Sequence, residues 1–235
     1  MNKLRFYFFH LMPYPHLPPT AEFPSTWVSL SNKLYDPQRG RVLYNEYIDQ
    51  LALAEKFGYD GVAVNEHHAN FYGTMPSPNI IAAMLVQRTN HIPIGVIGNA
   101  IPLHGNPLRV AEEIAMLDVI SGGRIISGFV RGIGCEYFNN GVTPADSVER
   151  FDEAHDLIIK AWTDDGPFTW QGDHFYIPNC NIIPRPIQQP HPPVWIPGQG
   201  SLETLQFVAR HRYTYMMVFA PLWFTKMAFD GLREE

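Results

Sequence analysis

The sequence predicts an α/β fold with a parallel sheet, and three observations carry that expectation. Short apolar runs alternate with longer amphipathic segments along the whole chain. The runs are continuously apolar rather than alternating, as in strands covered on both faces. Strand-like runs do not accumulate without helices between them, apart from one short hairpin pattern at 168–177. Two architectures satisfy these observations: a doubly wound open sheet and a (β/α)8 barrel. Six strands with parallel-sheet character are legible, where a barrel needs eight.

Residues 4–11 (LRFYFFHL) form the first apolar run, followed by a polar, proline-rich loop to about residue 40. Residues 42–57 carry Leu43, Tyr47, Leu51, Ala54 and Phe57 at helical spacing, with Gly58 as a stop signal. Residues 60–64 (DGVAV) form the second strand and run into Asn65-Glu66-His67-His68. A helix is expected at 78–89 and a third strand at 92–97. The next helix is expected at 107–120, with Pro107 near its first turn and Gly122-Gly123 ending it. Residues 124–130 (RIISGFV) make the fourth strand. A looser region leads to a helix at 147–162. Residues 193–196 (PVWI) make the fifth strand, 201–211 a helix and 213–219 (YTYMMVF) the sixth strand, and a further helix begins at 222.

Composition narrows the function. The chain has 235 residues, a net charge of −6 and 46 % apolar residues, which fits one domain with a real core. No basic stripe suits nucleic acid. No apolar run reaches the ~18 residues of a membrane span. Pro13 and Pro15 follow the first apolar run where a secretory leader would need small residues, so that run reads as a strand and the cytoplasm is the default location. Cys135 and Cys180 make neither a disulfide framework nor a zinc cluster, and no metal is expected.

The sharpest chemical feature is Glu66-His67-His68, directly after a buried strand. Catalytic groups of barrels collect at such strand ends. A helix cap or an ion pair is the plain alternative. Consecutive imidazoles do not fall on one side as in a His-Glu-x-x-His helix, so a metal site is the weaker reading. Arg131 follows the fourth strand and suits either a phosphate or a rim ion pair. Gly198-Gln199-Gly200-Ser201 precedes a helix, where free N–H groups favour an anion. Turn and cap chemistry explains the same residues. His10 and Met12, after the first strand, face either a pocket or the core. Asp152-Glu153-Ala154-His155 spells a helicase box, but no phosphate-binding loop accompanies it.

Four segments together resemble one family. They are residues 57–68 (FGYDGVAVNEHH), residues 107–124 from PLRVAEE to SGGR, residues 128–132 (GFVRG), and PVWI with GQGS at 193–201. In this order and spacing the chain resembles the bacterial luciferase-like flavin monooxygenases. The resemblance implies a (β/α)8 TIM-barrel type fold, C-terminally incomplete, with 1–235 as a single barrel domain truncated at its C-terminus. It implies His67, His68 and Glu66 as the acid/base group beside the flavin, with a supporting structural role as the alternative for His68. It implies Arg131 at the flavin phosphate, which makes the anion-suited turn of Gly198, Gly200 and Ser201 a second candidate for that phosphate. It implies Asn99 under the flavin ring, where the family often carries an unusual peptide.

The cofactor so implied is reduced FMN, supplied by a separate reductase, with O2 and a small apolar organic molecule as substrates. Hydride transfer with F420 is the variant, and a non-catalytic flavin-binding fragment or a poorly folding truncated frame are further alternatives. A homodimer through 78–89 and 107–120 is also implied.

Overall fold

The computed structural model describes residues 4–19 and 22–234. Its centre is one parallel six-stranded sheet, curled into a half-barrel. The strands are β1 (Tyr7–Phe9), β2 (Gly61–Val64), β3 (Ile94–Ala100), β4 (Ile125–Val130), β7 (Val194–Gly198) and β8 (Thr214–Met217), in that spatial order. Each strand pairs with the next in chain order, apart from an inserted antiparallel hairpin of β5 (Phe168–Gln171) and β6 (Tyr176–Cys180). The six parallel strands match the sequence expectation. Among the described residues no strand joins β8 back to β1.

Helices α1 (Pro37–Lys56), α2 (Pro78–Arg88), α3 (Leu108–Ser121), α5 (Ser147–Thr163) and α6 (Leu202–His211) supply residues to the core. Val62, Val64, Ile94, Val96, Ile125 and Phe129 meet Leu51, Leu85, Ile114, Leu157 and Trp162 there, all essentially buried. Trp162 Nε1 donates to the Ala111 carbonyl at 3.0 Å, so its polar atom is satisfied in the core. A last helix, α7 (Leu222–Glu234), follows β8.

Three differences from the sequence reading have physical causes. α1 starts at Pro37, five residues before the expected 42, because Asp36 caps it: its carboxylate accepts from Gln38 N at 2.9 Å and Arg39 N at 3.3 Å, with Pro37 at the tolerated first position. β1 is only three residues, paired from Tyr7↔Gly61 to Phe9↔Ala63, although the apolar run is longer. The looser region contains a short helix, α4 (Gly134–Asn140), that periodicity did not reveal.

Polar locks fix the connections. Glu55, at the end of α1, accepts N–H bonds from His91 (2.8 Å), Ile92 (2.9 Å) and Asn90 (3.0 Å), holding the turn before β3. Arg124 reaches back to the Thr89 hydroxyl and the carbonyls of Ile92 and Val86. The helicase-like box is structural. His155 is buried and bridges Asp156 Oδ1 (2.8 Å) to Tyr213 Oη (2.9 Å), and Glu153 holds the hairpin through Trp170 Nε1 and the N–H groups of His174 and Phe175.

β3 and β4 touch backbone to backbone. A Cβ on Gly98 would lie 2.7 Å from the Gly128 carbonyl, and one on Gly128 would lie 2.7 Å from Ile97 Cα. The register shifts here between Val96 and Asn99, and the Ile97–Gly98 peptide is cis. This cis bond lies just before Asn99, about which the resemblance implies an unusual peptide.

Candidate active site

The C-terminal ends of β2, β3 and β4 bring the predicted chemistry together. β2 ends at Val64, and the chain leaves it through Asn65, Glu66, His67 and His68. Glu66 is 4 % exposed. Its Oε1 lies 2.6 Å from His68 Nε2, and its Oε2 accepts from Ala100 N at 3.0 Å, with His104 Nε2 at 3.4 Å. Burial alone would raise the Glu66 carboxyl. The hydrogen bonds from His104, His68 and Ala100 outweigh burial and hold it at about 2. The bond to Glu66 raises His68 above the ordinary histidine value, against the pull of its own burial.

His67 is held from the other side of the mouth. Its Nδ1 lies 2.8 Å from Oε1 of Glu136 on α4. The same oxygen accepts from His68 N at 3.3 Å, and Oε2 accepts from Ile133 N at 2.8 Å. Two buried carboxylates, Glu66 on the loop after β2 and Glu136 on α4, thus each hold one imidazole of the tandem pair. The sequence reading missed Glu136 and His104. A glutamate three residues into a helix that opens just after Gly132 was the available signal for Glu136. The Tyr72 ring lies edge-on to His67 at 5.2 Å, and Trp27 lies 5.5 Å from Tyr72.

Arg131 lines a small open cleft with Phe151, Asp152, Pro197, Glu203 and Thr204 among its walls. This cleft joins the end of β4 to the first turn of α6. Ser201 caps α6, its hydroxyl accepting from Thr204 N at 3.4 Å. N–H groups of that first turn have no partner within the helix. Gly200 has φ +85°, where a side chain is strained, and a Cβ there would press on Phe224 at 2.9 Å. Its N–H donates to Tyr215 Oη at 2.7 Å. A Cβ on Gly198 would meet Thr204 and Tyr215 at 3.0 Å. Both glycines therefore let α6, β8 and α7 pack closely beside the cleft. Burial raises the Asp152 carboxyl and Asp156 adds to it, while Arg210, His155 and Arg131 draw it down.

Asn99 is 1 % exposed, and its amide donates to Asn79 of α2 at 3.4 Å. Its side chain is committed to the helix layer. Met12 is fully buried in the core, while His10 is half-buried and packs on Tyr47 with a 4.3 Å ring separation. Among the described residues no cluster of His, Cys, Asp and Glu is arranged for a metal ion, and no helix is long and apolar enough to cross a membrane.

A profile of the luciferase-like monooxygenase family matches residues 26–235. The chain belongs to this family. A curated relative, the oxygenase component of the flavin-dependent trigonelline monooxygenase of Acinetobacter baylyi, is 30 % identical over 70 % of this chain and 46 % of its own length. Among solved structures, the oxygenating constituent of 3,6-diketocamphane monooxygenase from Pseudomonas putida, in complex with FMN, superposes with a TM-score of 0.78 at 17 % identity. That match covers 98 % of this chain and 61 % of the other. An F420-dependent secondary alcohol dehydrogenase superposes with a TM-score of 0.68 at 22 % identity, over 81 % of this chain and 60 % of its own. The chain thus spans about half the length of the curated relatives it matches. These structures show that the luciferase-like chain shares the TIM-barrel-type fold, of which six parallel strands are described here.

Proposed function

We propose that this chain is the flavin-binding part of a monooxygenase that uses reduced FMN and O2 to oxidise a small apolar organic molecule. The observation that carries the reading is the tandem His67–His68 pair, each imidazole held by its own buried carboxylate at the mouth of the sheet. An imidazole held in orientation by a carboxylate is placed to act as a general acid or base. Bound reduced flavin would supply the electrons and the site of reaction with O2.

The residues fit that group. Arg131 and the first turn of α6, capped by Ser201, open on one cleft and offer a guanidinium and N–H groups to a phosphate. Gly198 and Gly200 keep that turn close-packed. Asn99 would serve through its main chain, because its amide is committed to Asn79. Tyr72 and Trp27 form an aromatic wall beside His67 that suits an apolar substrate.

The full reading includes a separate flavin reductase, a cytoplasmic setting, one luciferase-like domain over 1–235, and a homodimer through α2 and α3. That the trigonelline relative is an oxygenase component supports a separate reductase here. Exposed apolar residues support the dimer: Ile80 and Met84 on α2, Met116 and Ile120 on α3. F420 is the second cofactor reading, favoured by the F420-dependent structural neighbour.

Titration of the purified chain with FMN and F420, each oxidised and reduced, tests the proposal by flavin fluorescence and absorbance. Saturable FMN binding, weakened about tenfold or more by Arg131→Ala, is the expected result. Binding of F420 alone would replace the monooxygenase reading with hydride transfer. Binding of neither would overturn the assignment for this chain.

A further inference from the structure

We propose that Glu136 is the positioning residue of His67: its carboxylate fixes the imidazole as the Nδ1–H tautomer and leaves Nε2 as the ring's acceptor. The inference rests on reading His67 as the proton-handling group.

Glu136 is 1 % exposed, and the contacts that hold its carboxylate come from N–H donors. Oε1 takes His67 Nδ1 and His68 N; Oε2 takes Ile133 N. An ionised carboxylate only accepts, so a neutral His67 bonded to it must carry its proton on Nδ1. The two main-chain donors lie on different loops and fix the carboxylate in orientation. Gly132 makes room for it: a Cβ there would lie 3.2 Å from Glu136 Oε2. Nε2 makes no hydrogen bond to the described residues, and the His67 side chain keeps 14 % of its surface exposed. A lone pair held in that state is ready to accept a proton from a group entering the mouth.

Glu136 also connects two parts of the site. It lies on α4, which follows Arg131 after β4, and it reaches the loop after β2 across the end of β3. The guanidinium beside the cleft and the imidazole orientation therefore depend on one loop conformation. Glu66 does not duplicate this role, because its carboxylate serves His68, His104 and Ala100 N.

The test reads the tautomer directly. Long-range proton–nitrogen correlation of the 15N-labelled full chain at about pH 9, above the ordinary histidine range, separates the two neutral forms. His67→Gln assigns the signal. The expected wild-type spectrum shows His67 almost wholly as Nδ1–H. Glu136→Ala should lower that fraction to about half or less while the melting transition persists. Wild-type His67 in the Nε2–H form overturns the proposal, and so does an unchanged tautomer in folded Glu136→Ala.

If Glu136→Ala does not fold, the wild-type spectrum still decides, and Glu136→Gln keeps the packing volume. No flavin enters the measurement, so failure of FMN binding and failure of this inference are separate outcomes. With flavin and substrate turning over, Glu136→Gln should lower kcat with FMN affinity kept. Loss of FMN affinity in step with kcat would mean that Glu136 only supports the loop.

Discussion

His68 Nε2 lies 2.6 Å from Glu66 Oε1, on a carboxylate whose other oxygen takes the Ala100 N–H at 3.0 Å. The contact ties the loop after β2 to the end of β3, and it makes stability depend on pH in two directions. Glu66 is held at about 2 against an ordinary 4.5, so its contribution is complete above 4.5 and is lost as pH falls toward 2. That contribution is on the order of 3 kcal/mol. His68 is raised above 6.5, so its contribution is complete below 6.5 and is lost as pH rises through the raised value. Melting temperature followed against pH should show both losses, and Glu66→Gln should flatten both. Identical profiles for the two proteins would remove the pair from the account.

Gly128→Ala should destabilise the chain by about 1–3 kcal/mol or more, because the new methyl meets main chain rather than a movable side chain. Gly98→Ala should behave alike, and the double variant should cost less than the sum, since either one parts the same two strands. Denaturant midpoints measure this. Midpoints within error of the parent would show that β3 and β4 separate easily.

Glu55→Ala removes the acceptor shared by the N–H groups of Asn90, His91 and Ile92. A loss of about 1–2 kcal/mol is expected, moderated by water reaching the more exposed donors. Glu55→Gln should recover part of it by keeping one oxygen. Hydrogen exchange at 90–92 gives the local reading: protection there should fall in the alanine variant before it falls in β3.

Ile80 is 58 % exposed and Met116 50 %, on two packed helices. If these helices pair across a two-fold axis, Ile80→Glu with Met116→Glu should halve the mass measured by light scattering and leave the helical spectrum unchanged. A parent chain already monomeric at micromolar concentration removes this interface.

The barrel strands and most helices were legible because each carries a local signal. The runs IPIGVI and RIISGFV are buried on both faces and read as such. Glu66, His67 and His68 were legible because a strand ends immediately before them. Glu136 was not, because its contact lies 69 residues away in sequence, and its place in the first turn of a short helix marks a cap rather than that contact. The start of α1 was missed for a related reason: Asp36 and Pro37 are strong start signals, but apolar periodicity begins later. Asn99 lies on β3, which runs to Ala100 rather than ending at the expected residue 97, and its amide meets Asn79 of α2, a contact between distant residues that no local pattern encodes.

The close approach of Gly98 and Gly128 has a consequence for how this scaffold diversifies. Every other amino acid carries a Cβ, so at these two positions sequence drift has no neutral step to take. A joint made of main chain alone stays fixed while its surroundings change. Change is absorbed more readily in loops such as those that carry Tyr72 and Trp27, where a substituted side chain meets solvent instead of a neighbouring strand.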